Sequence, residues 1–325
     1  MKILITGCAG FIGFHTAKKF LKNNCNVVGI DSLNNYYSLT LKKNRIQLLN
    51  QNKNFKFYKI NISSSKQIKK IFQSKFDIVI NLAAQAGVRY SIKNPKAYTD
   101  SNISGFLNIL ENIKLKNKNI ALIYASTSSV YGDSKNKILD EKVNTSNPIQ
   151  YYAVTKKTNE LMAHAYYKLF NISSIGLRFF TVYGPYGRPD MALFRFTKNI
   201  INNKPIDVYN FGNHYRDFTY VDDISESIFR LAKKIKKRKK NIFEIFNIGN
   251  GFPIKLGKFI SIIEKSLNKK AKKNFINLQK GDIVGTHASS KKLFKYINYK
   301  PKTNVQLGIK NFVKWYLEYY RIRKF

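Results

Sequence analysis

A short apolar segment runs directly into a glycine-rich loop near the start of the chain. Residues 2–6 have the length and composition of a buried strand, and Gly7, Gly10 and Gly13 follow where a helical pattern begins. Glycines here allow a tight turn, and they let backbone N–H groups at the helix N-terminus approach a pyrophosphate. In an alternative interpretation, the glycines serve only the turn. The order of strand, loop and helix favours a nucleotide site. Its expected contacts are Gly7, Gly10, Phe11, Ile12 and Gly13.

An acidic residue stands at the distance from this loop that is typical of a dinucleotide site. Asp31 ends the second strand candidate, residues 27–30, about twenty positions after the glycines. Its carboxylate is suited to accept hydrogen bonds from the hydroxyls of an adenosine ribose, and it would repel a 2′-phosphate. The sequence therefore predicts NAD as the cofactor and not NADP.

Strand and helix patterns alternate through the first half of the chain. Such alternation argues for a parallel sheet covered by helices on both faces. Candidate strands are residues 3–5, 27–30, 55–59, 77–82 and 121–124, and candidate helices are residues 15–23, 65–73 and 98–113. From about Phe180 the pattern becomes irregular, and it ends in a helical pattern at residues 306–320.

This pattern predicts the fold class and two domains. We expect an α/β fold, a Rossmann-type doubly wound parallel sheet with a smaller, intertwined α/β substrate domain. Residues 1–178 are expected to form the NAD-binding domain, with a returning segment near 211–235. Residues 179–325 are expected to form mainly the substrate domain.

A tyrosine and a lysine four positions apart indicate the reaction centre. Tyr152 and Lys156 would lie on one face of a helix, and a nearby cation favours a phenolate, so Tyr152 is suited to act as a base near neutral pH. Lys156 is also suited to hold the nicotinamide ribose. Such a pair is common by chance and is otherwise a surface contact. Here it follows the nucleotide motif and a hydroxyl-rich strand end at residues 125–132, where such sheets bind ligands.

Longer segments resemble a known family over essentially the whole chain. The chain resembles the extended short-chain dehydrogenases/reductases, and in particular bacterial and plant UDP-glucuronate 4-epimerases, at residues 83–91, 127–132, 152–164, 176–192, 204–209 and 216–220. The glycine spacing and the Tyr152/Lys156 pair are typical of the superfamily, whereas residues 83–91 and 176–192 are more particular. The resemblance implies reversible inversion at C4 of UDP-glucuronate, giving UDP-galacturonate, through a 4-keto intermediate with tightly bound NAD.

The resemblance implies roles for several hydroxyl groups. Thr127 corresponds to the hydroxyl that hydrogen-bonds the substrate O4 beside Tyr152. Ser128 and Ser129 are similar to residues near the sugar carboxylate, and Thr181 to a residue that contacts the substrate near its uronate and diphosphate. A 4-keto uronate loses CO2 easily, so an epimerase must hold this carboxylate out of alignment for that loss.

Three arginines are implied at the anionic parts of the substrate. Arg188 and Arg216 resemble the arginines that hold the UDP moiety, and Arg89 is a candidate for the charged sugar; a planar guanidinium suits both groups. A surface or interdomain salt bridge is the alternative role for each. Further implied cofactor contacts are Asn61, Ile62, Ala83, Ala84, Gln85, Asn102, Ser126 and Phe179. Further implied substrate contacts are Met191, Val208, Tyr209 and Asp282.

Two positions depart from the family pattern. Asn61 stands where relatives usually carry an aspartate near the adenine, which we expect to weaken cofactor affinity without changing the chemistry. Ala288 and Ser289 stand where an alanine and an aspartate are usual. The second departure bears on details of the contacts to the uridine or the sugar.

Other activities remain open at this stage. A UDP-galactose 4-epimerase or a UDP-glucuronate decarboxylase would share the same motifs. A dehydratase would need an acid pair directly after the catalytic threonine, where Ser128 and Ser129 stand. A catalytically inactive relative that binds RNA would have no need of Tyr152, Lys156 and Thr127, and neither would a structural module that uses NAD only for stability.

The net charge of +40 is the unusual feature of the composition. It suggests a polyanionic partner, but the lysines are scattered among asparagine and isoleucine residues, as compositional bias would produce. The densest run, residues 233–240, fits a solvated helix end or loop. We therefore expect a small-molecule UDP-sugar as the partner, with no nucleic acid and no membrane.

Cysteine and histidine usage indicates the setting. Cys8 and Cys25 are the only cysteines of the sequence, and neither they nor the four dispersed histidines show metal-ligand spacing, so we predict no metal site. No signal peptide and no apolar stretch of membrane-spanning length are recognisable, which fits a reducing cytoplasm. Relatives in the superfamily often pair through four helices, so we expect a homodimer that uses residues near 98–113 and 149–167.

Overall fold

A parallel sheet lies at the centre of the structure, a computed structural model that describes residues 1–116, 119–278 and 283–323. The strands are β1 (Lys2–Thr6), β2 (Asn26–Asp31), β3 (Phe55–Lys59), β4 (Ile78–Asn81), β5 (Ala121–Thr127), β6 (Ser174–Phe179), β7 (Thr181–Tyr183), β8 (Ile206–Tyr209), β9 (Tyr215–Tyr220), β10 (Phe243–Ile248), β11 (Pro253–Lys255) and β12 (Lys273–Ile276). The helices are α1 (Phe11–Lys22), α2 (Leu39–Asn50), α3 (Ser65–Ile71), α4 (Val88–Lys93), α5 (Pro95–Tyr98), α6 (Gly105–Lys116), α7 (Tyr151–Phe170), α8 (Ala192–Ile201), α9 (Val221–Lys236), α10 (Leu256–Leu267), α11 (Lys291–Ile297) and α12 (Val305–Tyr319). Within the described residues, seven parallel strands form the main sheet in the order β10-β6-β5-β4-β1-β2-β3.

Strand β1 shows why the main sheet has helices on both faces. Ile3 and Ile5 pack in one core with α1 and α9, whereas Leu4 packs on the opposite face with α3 and α6. All three side chains are fully buried. Because successive side chains of a strand point to opposite faces, a continuous apolar run requires cover on both sides. The predicted Rossmann-type doubly wound sheet is confirmed.

The helix predicted at residues 98–113 is interrupted. α5 ends at Tyr98, a π-helical turn follows at Thr99–Ser104, and α6 begins at Gly105. The predicted helical segment is therefore present, but its first part is a π-helical turn. Asn102 in the wider turn is buried, where its amide pairs with the backbone N–H and carbonyl of Gln85 at 2.8 and 3.0 Å. Apolar periodicity does not reveal such a long-range polar contact.

The other strands build two small sheets. Within the described residues, β7, β9 and β11 form one of them, with β11 antiparallel to β9, and β8 pairs with β12 in parallel. These strands and α8, α10 and α12 surround a separate core. In this core the rings of Phe218 and Phe259 stack with centroids 4.0 Å apart.

The chain returns to the main sheet through α9 and β10. α9 packs against α1, and β10 pairs with β6 at the sheet edge. β10 lies beyond the returning segment near 211–235 that the sequence suggests. His15 of α1 contacts Asp222 of α9 at 3.0 Å and the carbonyl of Pro185 at 2.9 Å. One buried side chain thus joins the main sheet's first helix to the segment after β7.

The dense basic run, residues 233–240, begins in the last turn of α9 and extends beyond its end. Lys233, Lys234 and Lys236 lie in its last turn, where cations interact favourably with the helix dipole. Lys236 pairs with Asp77, and Lys234 donates to the carbonyl of Tyr296. Across the described residues, no helix combines the length and the apolar character needed to cross a membrane.

Candidate active site

A cavity of about 990 Å³ opens where β1, β2, β4 and β5 end, and residues of the small sheets line it as well. The carboxyl edge of a parallel sheet is the usual ligand site of such folds. From the predicted cofactor contacts the cavity wall contains Gly7, Gly10, Phe11, Ile12, Gly13, Asp31, Asn61, Ile62, Ala83, Ala84, Gln85, Ser126, Tyr152, Lys156 and Phe179. From the predicted substrate contacts it contains Arg89, Thr127, Ser128, Ser129, Thr181, Arg188, Met191, Tyr209 and Arg216. Residues far apart in the sequence therefore share one cavity.

Two predicted contacts stand apart from this wall, and the position of a third is not described. Asn102 is buried behind Gln85 and does not line the cavity. Val208 packs instead in the core of the small sheets, because successive residues of β8 alternate and Asp207 and Tyr209 are the ones that reach the cavity. Asp282 lies outside the described residues.

The glycine loop is packed too closely for side chains. Gly7 has a φ of +71°, and a Cβ there would lie 2.7 Å from the backbone nitrogen of Ala83. A Cβ at Gly13 would lie 2.1 Å from the carbonyl oxygen of Gly7. Gly10 caps α1 without a side chain, and the first turn of α1 contains no acidic residue. The positive end of α1 is therefore bare at the cavity, as a phosphate site requires.

Asp31 ends β2 beside this loop. Its two carboxylate oxygens accept from the backbone N–H groups of Leu33 at 2.8 Å and of Ala9 at 3.2 Å. Burial raises the pKa of Asp31, and these bonds together with the charge of Lys42 act in the opposite direction. Each oxygen keeps a lone pair for a further donor. The carboxylate is thus oriented by the backbone and able to accept a ligand hydroxyl.

Tyr152 and Lys156 both line the cavity from the first turns of α7, Tyr152 half-buried and Lys156 fully buried. Burial raises the pKa of Tyr152, while the charge of Arg188 and a hydrogen bond with Thr127 lower it. Burial also lowers the pKa of Lys156 to about 7. In this state burial outweighs the groups that lower the pKa of Tyr152, and the effect of Lys156 on the phenol stays a prediction. Low local dielectric disfavours the charged form of both groups.

A buried ion pair lies directly behind the cavity. The guanidinium of Arg178 on β6 donates to both carboxylate oxygens of Glu160 at 2.8 and 2.9 Å. Ser126 Oγ donates to the same carboxylate at 2.7 Å, and Arg178 also donates to the hydroxyl of Tyr131 at 3.0 Å. These bonds join α7, β5 and β6 beneath the reaction centre. The sequence reasoning missed this pair, because nothing local in the sequence links residues on different elements.

Each predicted arginine has a partner at the rim of the cavity. Arg188 forms a two-point ion pair with Asp190 at 3.0 and 2.5 Å. Arg216 donates to the carbonyls of residues 283 and 284 at 2.6 and 3.0 Å. Arg89 lies 4.6 Å from the ring centroid of Tyr209. These contacts hold three guanidinium groups at the cavity that also contains the glycine loop.

Further cavity residues were absent from the predicted contacts. They include Asn34, Tyr36, Lys42, Arg195 and Asp207. Lys42 donates to the backbone and side-chain oxygens of Asn34, each at 2.7 Å, and Tyr36 lies 5.7 Å from the guanidinium of Arg188. The one available signal was the polar and aromatic segment that follows Asp31.

Comparisons with known proteins agree with this geometry. A model of the NAD dependent epimerase/dehydratase family matches residues 3–249. Protein CapI of Staphylococcus aureus is 50% identical over 99% of this chain and 100% of its own length. UDP-glucuronate 4-epimerase 4 of Arabidopsis thaliana is 42% identical over 98% of this chain and 76% of its own. A crystal structure of UDP-glucuronic acid 4-epimerase from Bacillus cereus in complex with UDP-glucuronic acid and NAD is 36% identical, with a TM-score of 0.91 over 98% of this chain and 100% of that chain. The chain therefore belongs to the NAD-dependent epimerase/dehydratase family, and within it to the UDP-glucuronate 4-epimerases.

Proposed function

We propose that the protein interconverts UDP-glucuronate and UDP-galacturonate by reversible oxidation and reduction at C4, with NAD as a tightly held cofactor. One observation carries the proposal. Tyr152 and Thr127 line the same cavity as the glycine loop, and four guanidinium groups lie at that cavity. A hydride carrier, a proton acceptor and an anionic sugar nucleotide need these three kinds of group within one site.

The residues of the cavity fit NAD. The bare N-terminus of α1 suits a pyrophosphate, and the packed glycines keep side chains out of its path. Asp31 presents carboxylate oxygens for an adenosine ribose and would repel a 2′-phosphate. The named relative with NAD in its crystal supports the same choice.

The reaction needs a group that takes and returns the O4 proton. When bound, NAD accepts a hydride from C4 and gives it back to the sugar. Tyr152 accepts the proton of O4 and later returns it, and Thr127 hydrogen-bonds O4 and orients it toward the phenol. Lys156 stabilises the phenolate and holds a ribose hydroxyl. Between the two transfers, the 4-keto sugar turns about its link to the diphosphate, so hydride returns to the opposite face.

The uronate carboxylate needs donors that keep it still. Ser128, Ser129 and Thr181 line the cavity near Thr127, and Arg89 adds a positive charge. Held by these groups, the carboxylate lies away from the alignment that releases CO2 from a 4-keto uronate. Arg188 and Arg216 bind the diphosphate in this proposal, and their contacts with Asp190 and with the carbonyl of residue 283 support it because they orient each guanidinium.

The helices α6 and α7 support a homodimer. They pack side by side, and exposed leucines occur on both of them. Leu107 is 40% exposed, Leu161 is 60% exposed and Leu169 is 71% exposed. Two such helix pairs, one from each protomer, would bury this apolar surface in a bundle of four helices.

The proposed function is tested by NMR of UDP-glucuronate incubated with the purified protein. The expected result is a mixture of UDP-glucuronate and UDP-galacturonate, reached from either sugar. A pentose product with CO2 would identify a decarboxylase. An unchanged uronate combined with turnover of UDP-glucose would identify a neutral-sugar 4-epimerase, and either result would contradict the proposal.

A further inference from the structure

Asn159 lies one turn after Lys156 on α7 and is buried with it. The ammonium nitrogen of Lys156 donates a hydrogen bond to Asn159 Oδ1 at 3.2 Å. Each of the two side chains is 1% exposed. Lys156 borders the cavity, whereas Asn159 stands behind it. Asn159 therefore acts on the site through Lys156.

A second contact determines which way the Asn159 amide points. Asn159 Nδ2 donates to the backbone carbonyl of Asn102 at 2.6 Å. A carbonyl oxygen only accepts, so Nδ2 must face Asn102 and Oδ1 must face Lys156. The amide consequently presents an acceptor, and never a donor, to the ammonium group.

Asn102 is itself held in place from several sides. Its side chain accepts from the N–H of Gln85 at 2.8 Å and donates to the hydroxyl of Thr155 at 3.0 Å. Its carbonyl belongs to the π-helical turn Thr99–Ser104, a geometry that is rare and frequent at functional sites. The contact that orients Asn159 is thus a rigid part of the fold.

The charged groups near Lys156 are committed to other partners. Glu160 follows Asn159 on α7, and its carboxylate is bonded to Arg178 of β6 and to Ser126 of β5. The π-helical turn presents the neutral Asn102 on this side. From the cavity wall, β5 adds only the hydroxyls of Ser126 and Thr127.

Tyr152 and Arg188 complete the surroundings. Tyr152 lies on the same helix as Lys156, and burial raises the pKa of its phenol. Arg188 brings a positive charge that acts on Tyr152 and is paired with Asp190. Because burial disfavours the phenolate form of Tyr152 and Arg188 is positive, neither group adds a fixed negative charge beside Lys156.

We propose that Asn159 is a positioning residue of the reaction centre, whose amide oxygen holds Lys156 as an oriented ammonium group beside Tyr152. This inference rests on the proposed function, since it assigns the charged form of Lys156 a part in that reaction. Burial lowers the pKa of Lys156 to about 7, with the charge of Glu160 acting in the opposite direction. Loss of the Asn159 acceptor lowers this pKa further, and a carboxylate at the same place raises it.

Two variants separate this role from a merely structural one. Asn159→Leu keeps the volume and removes the acceptor, whereas Asn159→Asp keeps an acceptor and adds a negative charge. Activity that needs the ammonium form is present below the pKa of Lys156 and is lost above it. The alkaline limb of kcat should therefore move to lower pH in Asn159→Leu, by about one to two pH units, and to higher pH in Asn159→Asp.

NAD binding gives a second readout that does not depend on turnover. NAD is titrated by calorimetry into cofactor-free protein across the neutral and alkaline pH range. Compared with the wild type, the affinity for NAD should fall at a lower pH in Asn159→Leu and at a higher pH in Asn159→Asp. Asn112→Leu is the matched control, because Asn112 is also a buried helical asparagine, with Nδ2 bonded to the carbonyl of Asn108 at 2.8 Å. It should leave the position of both limbs unchanged.

The possible outcomes are distinct. Opposite movements of the two variants, in binding and in kcat, support the inference, and circular dichroism identifies any variant that has failed to fold. Coincident alkaline limbs for the wild type, Asn159→Leu and Asn159→Asp would overturn it. If the wild type binds NAD but leaves UDP-glucuronate unchanged, only the proposed function is contradicted. The NAD titrations of the wild type and the two variants still test the role of Asn159.

Discussion

Replacing Glu160 by glutamine tests the ion pair beneath the cavity. The carboxylate of Glu160 accepts two hydrogen bonds from Arg178 and one from Ser126, and the side chains of the pair are 2% and 4% exposed. Glu160→Gln keeps the shape and removes the negative charge. Arg178 then keeps its charge without its ionic partner, and the new amide NH2 competes with the donors that surround it.

The size of the effect follows from the burial of this pair. Removing one partner of a buried ion pair costs about 3–5 kcal/mol, because the other charge is left uncompensated. Glutamine retains one acceptor oxygen, so we expect a loss of about 3 kcal/mol in the free energy of unfolding at neutral pH. Glu244→Gln is the matched control, since Glu244 pairs with Lys292 at 2.7 Å while their side chains are 38% and 46% exposed. An exposed pair of this kind contributes about 0.2–1 kcal/mol.

The assay is guanidinium unfolding of both variants at several pH values. Burial alone would raise the pKa of Glu160, but the Arg178 guanidinium and the Ser126 hydroxyl hold it below its usual range. Stability from this carboxylate is therefore present above the ordinary pKa of about 4.3 and is lost as the pH falls through the lowered folded value. The difference between wild type and Glu160→Gln should shrink in that acidic window.

The reasoning is refuted if Glu160→Gln and Glu244→Gln shift the unfolding midpoint equally at neutral pH. It is also refuted if the Glu160→Gln deficit persists unchanged after the carboxylate is protonated. The double variant Glu160→Gln/Arg178→Met should recover part of the loss, since an apolar side chain leaves no buried charge behind.

Four further predictions concern the reaction and the assembly. Tyr152→Phe should retain NAD through purification, read from the absorbance of released cofactor, while turnover falls below a few per cent; substantial activity would show that another group takes the O4 proton. UDP-glucuronate should exceed UDP-glucose in kcat/KM by about a hundredfold or more, because two lost hydrogen bonds to a charged group are worth about 3 kcal/mol or more at 1.4 kcal/mol per tenfold. Comparable kcat/KM values for the two sugars would remove the uronate from the proposal. Ser128→Ala should release more CO2 per turnover than the wild type. Leu161→Glu should halve the mass measured by light scattering, and an unchanged mass would place the dimer contact elsewhere.

The main sheet was predictable because its buried strands are visible in the sequence as short runs of apolar residues. Ile3, Leu4 and Ile5 must all be buried, so β1 is visible as an apolar run. α2 escaped prediction for the opposite reason, since Lys42 and Arg45 lie on its buried side. Arg45 is fully buried and donates to the carbonyls of Ala9 and Tyr186, each at 2.6 Å. When charged side chains occupy the buried face of a helix and bond to distant carbonyls, the sequence no longer shows the spacing of apolar residues that predicts a helix.

The candidate site also contains a part that the sequence predicts and a part that it does not. The predictable part consists of local motifs, namely the glycine loop, Asp31 and the Tyr152/Lys156 pair, which line one cavity. Contacts between distant elements, such as Glu160 with Arg178 and Asn159 with Asn102, follow only from tertiary packing. The effect of burial on the pKa of Tyr152 also follows only from tertiary packing, because no local motif shows how far a side chain is buried.

The most direct test of the proposed chemistry is the fate of hydrogen at C4. UDP-glucuronate carrying deuterium at C4 is incubated with the protein in ordinary water, and the UDP-galacturonate formed is examined by NMR and mass spectrometry. Because the hydrogen leaves C4 as a hydride and returns from the same site, we predict that the product retains deuterium at C4 with inverted configuration. Loss of deuterium to the solvent, or a pentose as the main product, would contradict the account.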